Sequence, residues 1–268
     1  MKLLNHKIWT RAALFSLPLL LSQVAVTQLQ SDAGLTPLSA AVAAEDKPKD
    51  TRETRRTPAL RNKVYEKLAE AQVAAEAKDL AGAQKVLDGM IAAGGKKALN
   101  SYELANVYNL YAFIYYSRED YRNALKAYEN VVSQPDIPLA MEINTRYTIA
   151  QLYFVQEDWK RGVDALLKWF DMTETPNASA YVLLSQGYYQ MKDYNKSLFN
   201  VEKAISMYDE KGKIPKEQWY NLARFLHFEK GNINKTVDIL EILLTHYPKK
   251  QYWVQVSHMY GEQKKESE

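Results

Sequence analysis

The sequence predicts an all-α fold, a right-handed αα-superhelix in which helical hairpins stack into a solenoid. Three observations predict it. A polar turn leading into an amphipathic stretch recurs five times: KDLAGAQKVLDGM (78–90), REDYRNALKAYENV (118–131), QEDWKRGVDALLKW (156–169), MKDYNKSLFNVEKA (191–204) and KGNINKTVDILEIL (230–243). Each copy places Leu80, Tyr121, Trp159, Tyr194 or Ile233 three residues before Ala83, Ala124, Gly162, Ser197 or Thr236. Those small residues stand 41, 38, 35 and 39 positions apart, a period that belongs to stacked helical repeats.

The segments before the turns supply the first helix of each pair. In SAYVLLSQGYYQMKDY (179–194), Tyr181, Leu184, Ser185, Gly187 and Tyr188 follow the W-x2-L-G-x2-Y spacing. YNLYAFIYYSREDY (108–121) offers Tyr108, Tyr111, Ala112 and Tyr115, and RYTIAQLYFVQEDW (146–159) offers Ile149, Ala150 and Tyr153, with Arg146 in the aromatic place. The pattern resembles the tetratricopeptide repeat. Its residue types have a physical reason: a small side chain lets two helix axes approach, and an aromatic one turn on fills the space beside it. A single pair cannot bury its apolar face alone, so neighbours must stack.

Two units depart from the pattern. The first has Ala71 and Ala74 where a small residue and an aromatic belong, which predicts weaker packing. In the fifth, WYNLARFLHFEKGN aligns best with Trp219, Leu222, Ala223 and Leu226, leaving one extra residue before the turn; Tyr220 with Ala223 is the alternative phase. Trp253, Val256, Ser257 and Tyr260 open a sixth first helix, followed by the polar tail 261–268. This end reads either as a polar capping helix, which solenoids need, or as a shortened member of a longer family.

The N-terminus reads as an export signal. Lys2, Lys7 and Arg11 precede an apolar run, Ala12–Leu21, and Ala41-Val42-Ala43 is the best cleavage site, giving a signal peptide over 1–43. A retained anchor is the alternative and the sole route to membrane association; it would use 12–29, which holds Gln23 and Gln28 and is marginal for spanning a bilayer. With Lys2, Lys7, Arg11 and Asp32 removed, 32 basic and 31 acidic residues remain, so the basic character lies largely in the signal. A nearly neutral remainder argues against nucleic-acid binding. Residues 44–57 include the apolar-free stretch EDKPKDTRETRR and read as a disordered linker. Thr57-Pro58 then reads as an N-cap with proline in the first helical position, so the repeat array is expected over 58–260.

No catalytic, cofactor or metal site is expected, and neither is a small-molecule substrate. The chain has no cysteine, and His6, His227, His246 and His258 lack the spacing of metal ligands. Glu119-Asp120 and Glu157-Asp158 sit at turns, where capping and solubility explain them. Gly94-Gly95 reads as a helix terminator, not a phosphate loop.

The remaining signal is a groove lined by first helices. Residues one position past the signature aromatics, Tyr116, Phe154 and Tyr189, should form a file of exposed rings. Asn109, Phe113, Tyr147, Gln151 and Gln186 should lie beside it. Rings next to amides suit an extended or helical peptide, whose backbone the amides can hydrogen-bond. Extra core between repeats is the alternative role. The chaperone-tail clamp of some repeat proteins needs Lys and Asn on neighbouring turns, where this chain has Asn109 and Phe113.

Residues 58–260 resemble an exported tetratricopeptide family found with TonB energy-transduction systems of Gram-negative bacteria. The resemblance rests on IYYSREDYRNALKAYENVVSQPDIP, RYTIAQLYFVQEDWKRGVDAL and YPKKQYWVQVSHMYGE. It implies a non-enzymatic periplasmic accessory whose protein partners are TonB, ExbB or ExbD. A scaffold for outer-membrane protein insertion or polysaccharide export is the alternative function.

The export reading predicts a mature N-terminus at Ala44, and N-terminal sequencing of a periplasmic extract tests it. A chain that still begins at Met1 and sediments with membranes would instead establish the anchor.

Overall fold

A computed structural model describes residues 59–267, with side chains described over 59–261. The signal, the linker and the Thr57-Pro58 pair lie outside the described residues. Those residues form α-helices and one 3-10 turn, with no strand among them. They divide after Thr173 into two compact units. The first holds α1 (Asn62–Glu76), α2 (Leu80–Ile91), α3 (Ser101–Ser117), α4 (Tyr121–Val132), α5 (Leu139–Val155) and α6 (Trp159–Met172). The second holds α7 (Ala178–Gln190), α8 (Tyr194–Asp209), α9 (Glu217–Glu229), α10 (Ile233–His246) and α11 (Lys250–Ser267). Helices α1 to α10 pair in order as five hairpins.

One turn joins every hairpin. Lys78, Glu119, Glu157, Lys192 and Gly231 adopt positive φ, between 57° and 72°. The next residue closes the turn by donating its N–H five residues back: Asp79 to Ala74, Asp120 to Tyr115, Asp158 to Tyr153, Asp193 to Tyr188 and Asn232 to His227, each at 2.9 Å. That bond satisfies a carbonyl left open by the end of the first helix. The same Asp or Asn then caps the second helix, its side chain accepting from the N–H three residues on. Chain reversal and helix initiation are thus one device.

Turns held alike bring the same positions together. Ala71, Ala83, Ala112, Ala124, Ala150, Ser185, Ser197 and Thr236 are wholly buried. In the α7/α8 hairpin the small pair is bonded as well as packed. Ser185 Oγ donates to the Ser197 carbonyl at 2.7 Å, and Ser197 Oγ returns a bond to the Ser185 carbonyl at 2.9 Å. Around these crossings, Val64, Leu68, Leu87 and Ile114 form a core in the first unit. Trp219, Leu226, Leu240, Leu243 and Tyr252 do so in the second.

The structure corrects two expectations. The fifth hairpin has the common turn with no extra residue, so Tyr220 and Ala223 set its phase, not Trp219. Arg224 then stands where Ala71, Ala112, Ala150 and Ser185 stand elsewhere; it is 5% exposed, and burial pulls its guanidinium down to about 10. Helix α1 begins at Asn62 after an extended Arg61, later than the Thr57-Pro58 signal suggests. Helix α11 runs on to Ser267 through the polar tail, since one glycine among strong helix formers does not stop a helix. Trp253, Ser257 and Tyr260 are exposed along it, while Tyr252, Val256 and Met259 are buried.

The first unit is fastened at its start by a buried carboxylate. Glu103 receives Arg61 Nε at 2.8 Å, Arg61 Nη2 at 2.6 Å, and the backbone N–H of Arg61 at 3.2 Å and of Asn100 at 3.0 Å. Asn100 and Glu103 form a reciprocal capping box on α3. Arg61 Nη2 also donates to the Ala98 carbonyl at 2.7 Å, tying the start of α1 to the α2–α3 loop. The guanidinium beside Glu103 holds its carboxyl below the usual glutamate range, against a desolvation that pushes the other way. A depressed carboxylate contributes stability above its unfolded pKa and loses it as pH falls through the folded one. Glu103→Gln should therefore melt lower than the parent at pH 7. The gap should close on acidification below pH about 4, the unfolded glutamate value. Thermal melts of both chains between pH 7 and pH 3 check this, and parallel curves would refute it.

Candidate partner-binding face

The expected groove residues lie on first helices whose phase the turns fix. Counting back from the capping Asp120, Asp158 or Asp193, Asn109 and Tyr147 share one position. Phe113, Gln151 and Gln186 share a second, and Tyr116, Phe154 and Tyr189 a third. Asn109, Phe113, Tyr116 and Tyr147 are half-buried in the first unit, as is Tyr189 in the second. Gln151 at 2%, Phe154 at 3% and Gln186 at 7% exposure are buried.

Burial removes Phe154 from the expected file of exposed rings, while Tyr116 and Tyr189 stay half-exposed. Tyr116 packs on Tyr121, Phe154 on Trp159 and Tyr189 on Tyr194, with ring centroids 5.6, 6.0 and 5.7 Å apart. Each pair joins the last turn of a first helix to the first residue of the second, so the rings clasp their own hairpin. Phe154 goes deepest because it lies against Gly162. A Cβ built on that glycine would meet Phe154 Cδ2 and Cε2 at 2.9 Å. Burial raises the Tyr116 and Tyr189 hydroxyl pKa values, as it should for rings half withdrawn from water. Tyr189 also meets the edge of Phe225 at 5.7 Å. Tyr147 lies 4.8 Å from Trp169.

Beside the half-buried rings, this face of the first unit carries amides. Asn109 is half-buried and Asn144 exposed, and neither side-chain amide hydrogen-bonds within the described residues. Asn106 and Thr148 share the face; Asn106 Nδ2 donates to the Tyr102 carbonyl at 2.8 Å. The sequence reading missed Asn106, Asn144 and Thr148. Phase counted from the caps would have found them, since they fall 14, 14 and 10 residues before Asp120 or Asp158.

Several titratable groups are engaged elsewhere. Asp120 and Asp158 cap helices and are held below the usual aspartate range by Asn123 and Arg161. His227 is buried with Nε2 3.0 Å from Glu202 Oε1. Tyr153 makes the corresponding bond to Glu129 Oε1 at 3.1 Å, and Tyr260 meets Glu241 in the same way. Each links a first helix to the second helix before it, so α11 docks on α10 in first-helix register. No group of His, Asp and Glu among the described residues is arranged to hold a metal ion.

Solved structures with the same arrangement are repeat proteins. YrrB, described as a TPR protein with an unusual peptide-binding site, superposes with a TM-score of 0.54 at 14% identity over 74% of this chain and 94% of its own. A tetratricopeptide repeat protein from Parabacteroides merdae gives 0.54 at 17% identity over 75% of each chain. The apo form of RapI gives 0.54 at 11% identity over 68% of this chain and 69% of its own. The fold is that of the tetratricopeptide repeat. No protein-family model matches the sequence, and no curated protein sequence does.

Within this tetratricopeptide fold the aromatic clasp has a measurable consequence. Gly162→Ala would ordinarily gain helix propensity of about 1 kcal/mol. Here the added methyl meets a ring that fills the crossing, so the variant should lose about 1–3 kcal/mol. Phe154→Leu in the same chain should recover part of that loss. Urea unfolding of the two single variants and the double gives the coupling, and additive effects would mean the ring does not rest on Gly162.

Proposed function

We propose that the chain is an exported, non-enzymatic protein–protein interaction scaffold, working as a periplasmic accessory of TonB-dependent transport. The observation that carries the scaffold reading is the division of labour among side chains. Asp79, Asp120, Asp158 and Asp193 cap helices, Glu103 clamps the start of the first unit, and Glu129, Glu202 and His227 make inter-helix bonds, while first helices keep a part-exposed face of amides and rings at Asn109, Phe113 and Tyr147. Such a face offers hydrogen bonds and apolar contact to a polypeptide. The peptide-binding site for which YrrB is described supports the same use of this fold. Export rests on the charged start, the apolar run and the Ala41-Val42-Ala43 site. The TonB connection rests on the three segments that resemble that family.

Site-specific cross-linking tests both levels. A photo-reactive residue replacing Asn109 in intact cells should give adducts with TonB, ExbB or ExbD. An adduct with an outer-membrane insertion or glycan-export component would keep the scaffold and overturn the TonB role. A chain that stays in the cytoplasm would overturn the export reading.

A further inference from the structure

The face that the scaffold reading uses has a property the repeats do not require. Take the residues 4, 7, 10, 11 and 14 places before each capping Asp or Asn. In α1, α3 and α5 of the first unit, and in α7 and α9 of the second, none is charged. This holds in a chain that is 25% charged. The charge has gone to other places. In α3 the sole charged residue is Glu103, buried under Arg61; in α5 Glu142 and Arg146 pair with each other at 2.7 Å. The second helices are different: α4 carries Arg122, Lys126 and Glu129, and α6 carries Lys160, Arg161, Asp164, Lys168 and Asp171.

Burial does not explain the pattern away. Asn106, Asn109, Phe113, Tyr147 and Thr148 are only half-buried, and Asn144 is exposed. Exposed helix positions elsewhere in the unit are freely charged, so solvent would tolerate Lys or Glu here.

We infer that this face, if it serves the scaffold role proposed above, receives an uncharged, extended stretch of partner polypeptide. An extended chain presents N–H and C=O groups along its length, and an asparagine amide can both donate to and accept from them. Asn109 and Asn144, which have no bond within the described chain, are placed to do so. A charged segment would lose hydration on this face with no counter-charge to repay it. Specificity then comes from hydrogen bonds and ring contact, and Coulomb attraction plays little part.

Selection of random twelve-residue peptides displayed on phage, against the full chain, tests the inference. Enriched peptides should be poor in Asp, Glu, Lys and Arg. The affinity of a synthetic copy should change less than about twofold between about 0.05 and 0.5 M NaCl, since screening acts only on charge. Replacing Asn109 and Asn144 together by Asp should weaken binding at least about tenfold by desolvating new charge, with an unchanged circular dichroism melt. Enrichment of acidic or basic peptides with steep salt dependence would overturn the inference and leave the peptide-binding reading intact. Uncharged peptides that bind the double variant as well as the parent would also overturn it. Failure to enrich any peptide would overturn that reading and the inference with it.

Discussion

Every hairpin among the described residues depends on a left-handed residue followed by a capping Asp or Asn. Four of the five left-handed positions are Lys or Glu, not glycine. An L-residue there costs roughly 1–2 kcal/mol, so the conformation persists because its neighbours insist on it. The bond from the capping residue back to the first helix, and from the second helix to the cap, together outweigh that cost. Because the turn fixes which residues of the two helices face each other, small-residue crossings, aromatic clasps and inter-helix bonds all inherit their register from it. The part-exposed face inherits it too.

Much of this was legible in the sequence. Capping aspartates and small residues are short-range signals, and their chemistry allows few alternatives. The misread elements share a different character. Phe154 occupies the same sequence position as Tyr116 and Tyr189, and only the missing side chain of Gly162, eight residues on, draws it inside. Arg224 was passed over because an arginine at a close crossing contradicts the small-residue rule, and Trp219 then offered a false aromatic anchor one residue early. In each case a local pattern was overruled by something the neighbouring helix does or lacks.

The candidate face was half legible. Asn109, Phe113 and Tyr147 were found from the signature, whereas Asn106, Asn144 and Thr148 needed the phase of the turns. Periodicity in apolar residues marks what is buried, and that is why it says little about a polar face. The absence of charge along first helices is a different kind of signal. It becomes visible only when five segments are set in one register and compared position by position.

The paired serines of the α7/α8 hairpin carry a mechanical consequence. Crossings made of alanine or glycine are held by packing alone, which resists separation of the helices but resists sliding far less. Ser185 and Ser197 add two directional bonds to opposite backbones, and a shift of one helix along the other breaks both together. Under a pulling force, sliding α7 along α8 would have to break both bonds at once, like a latch.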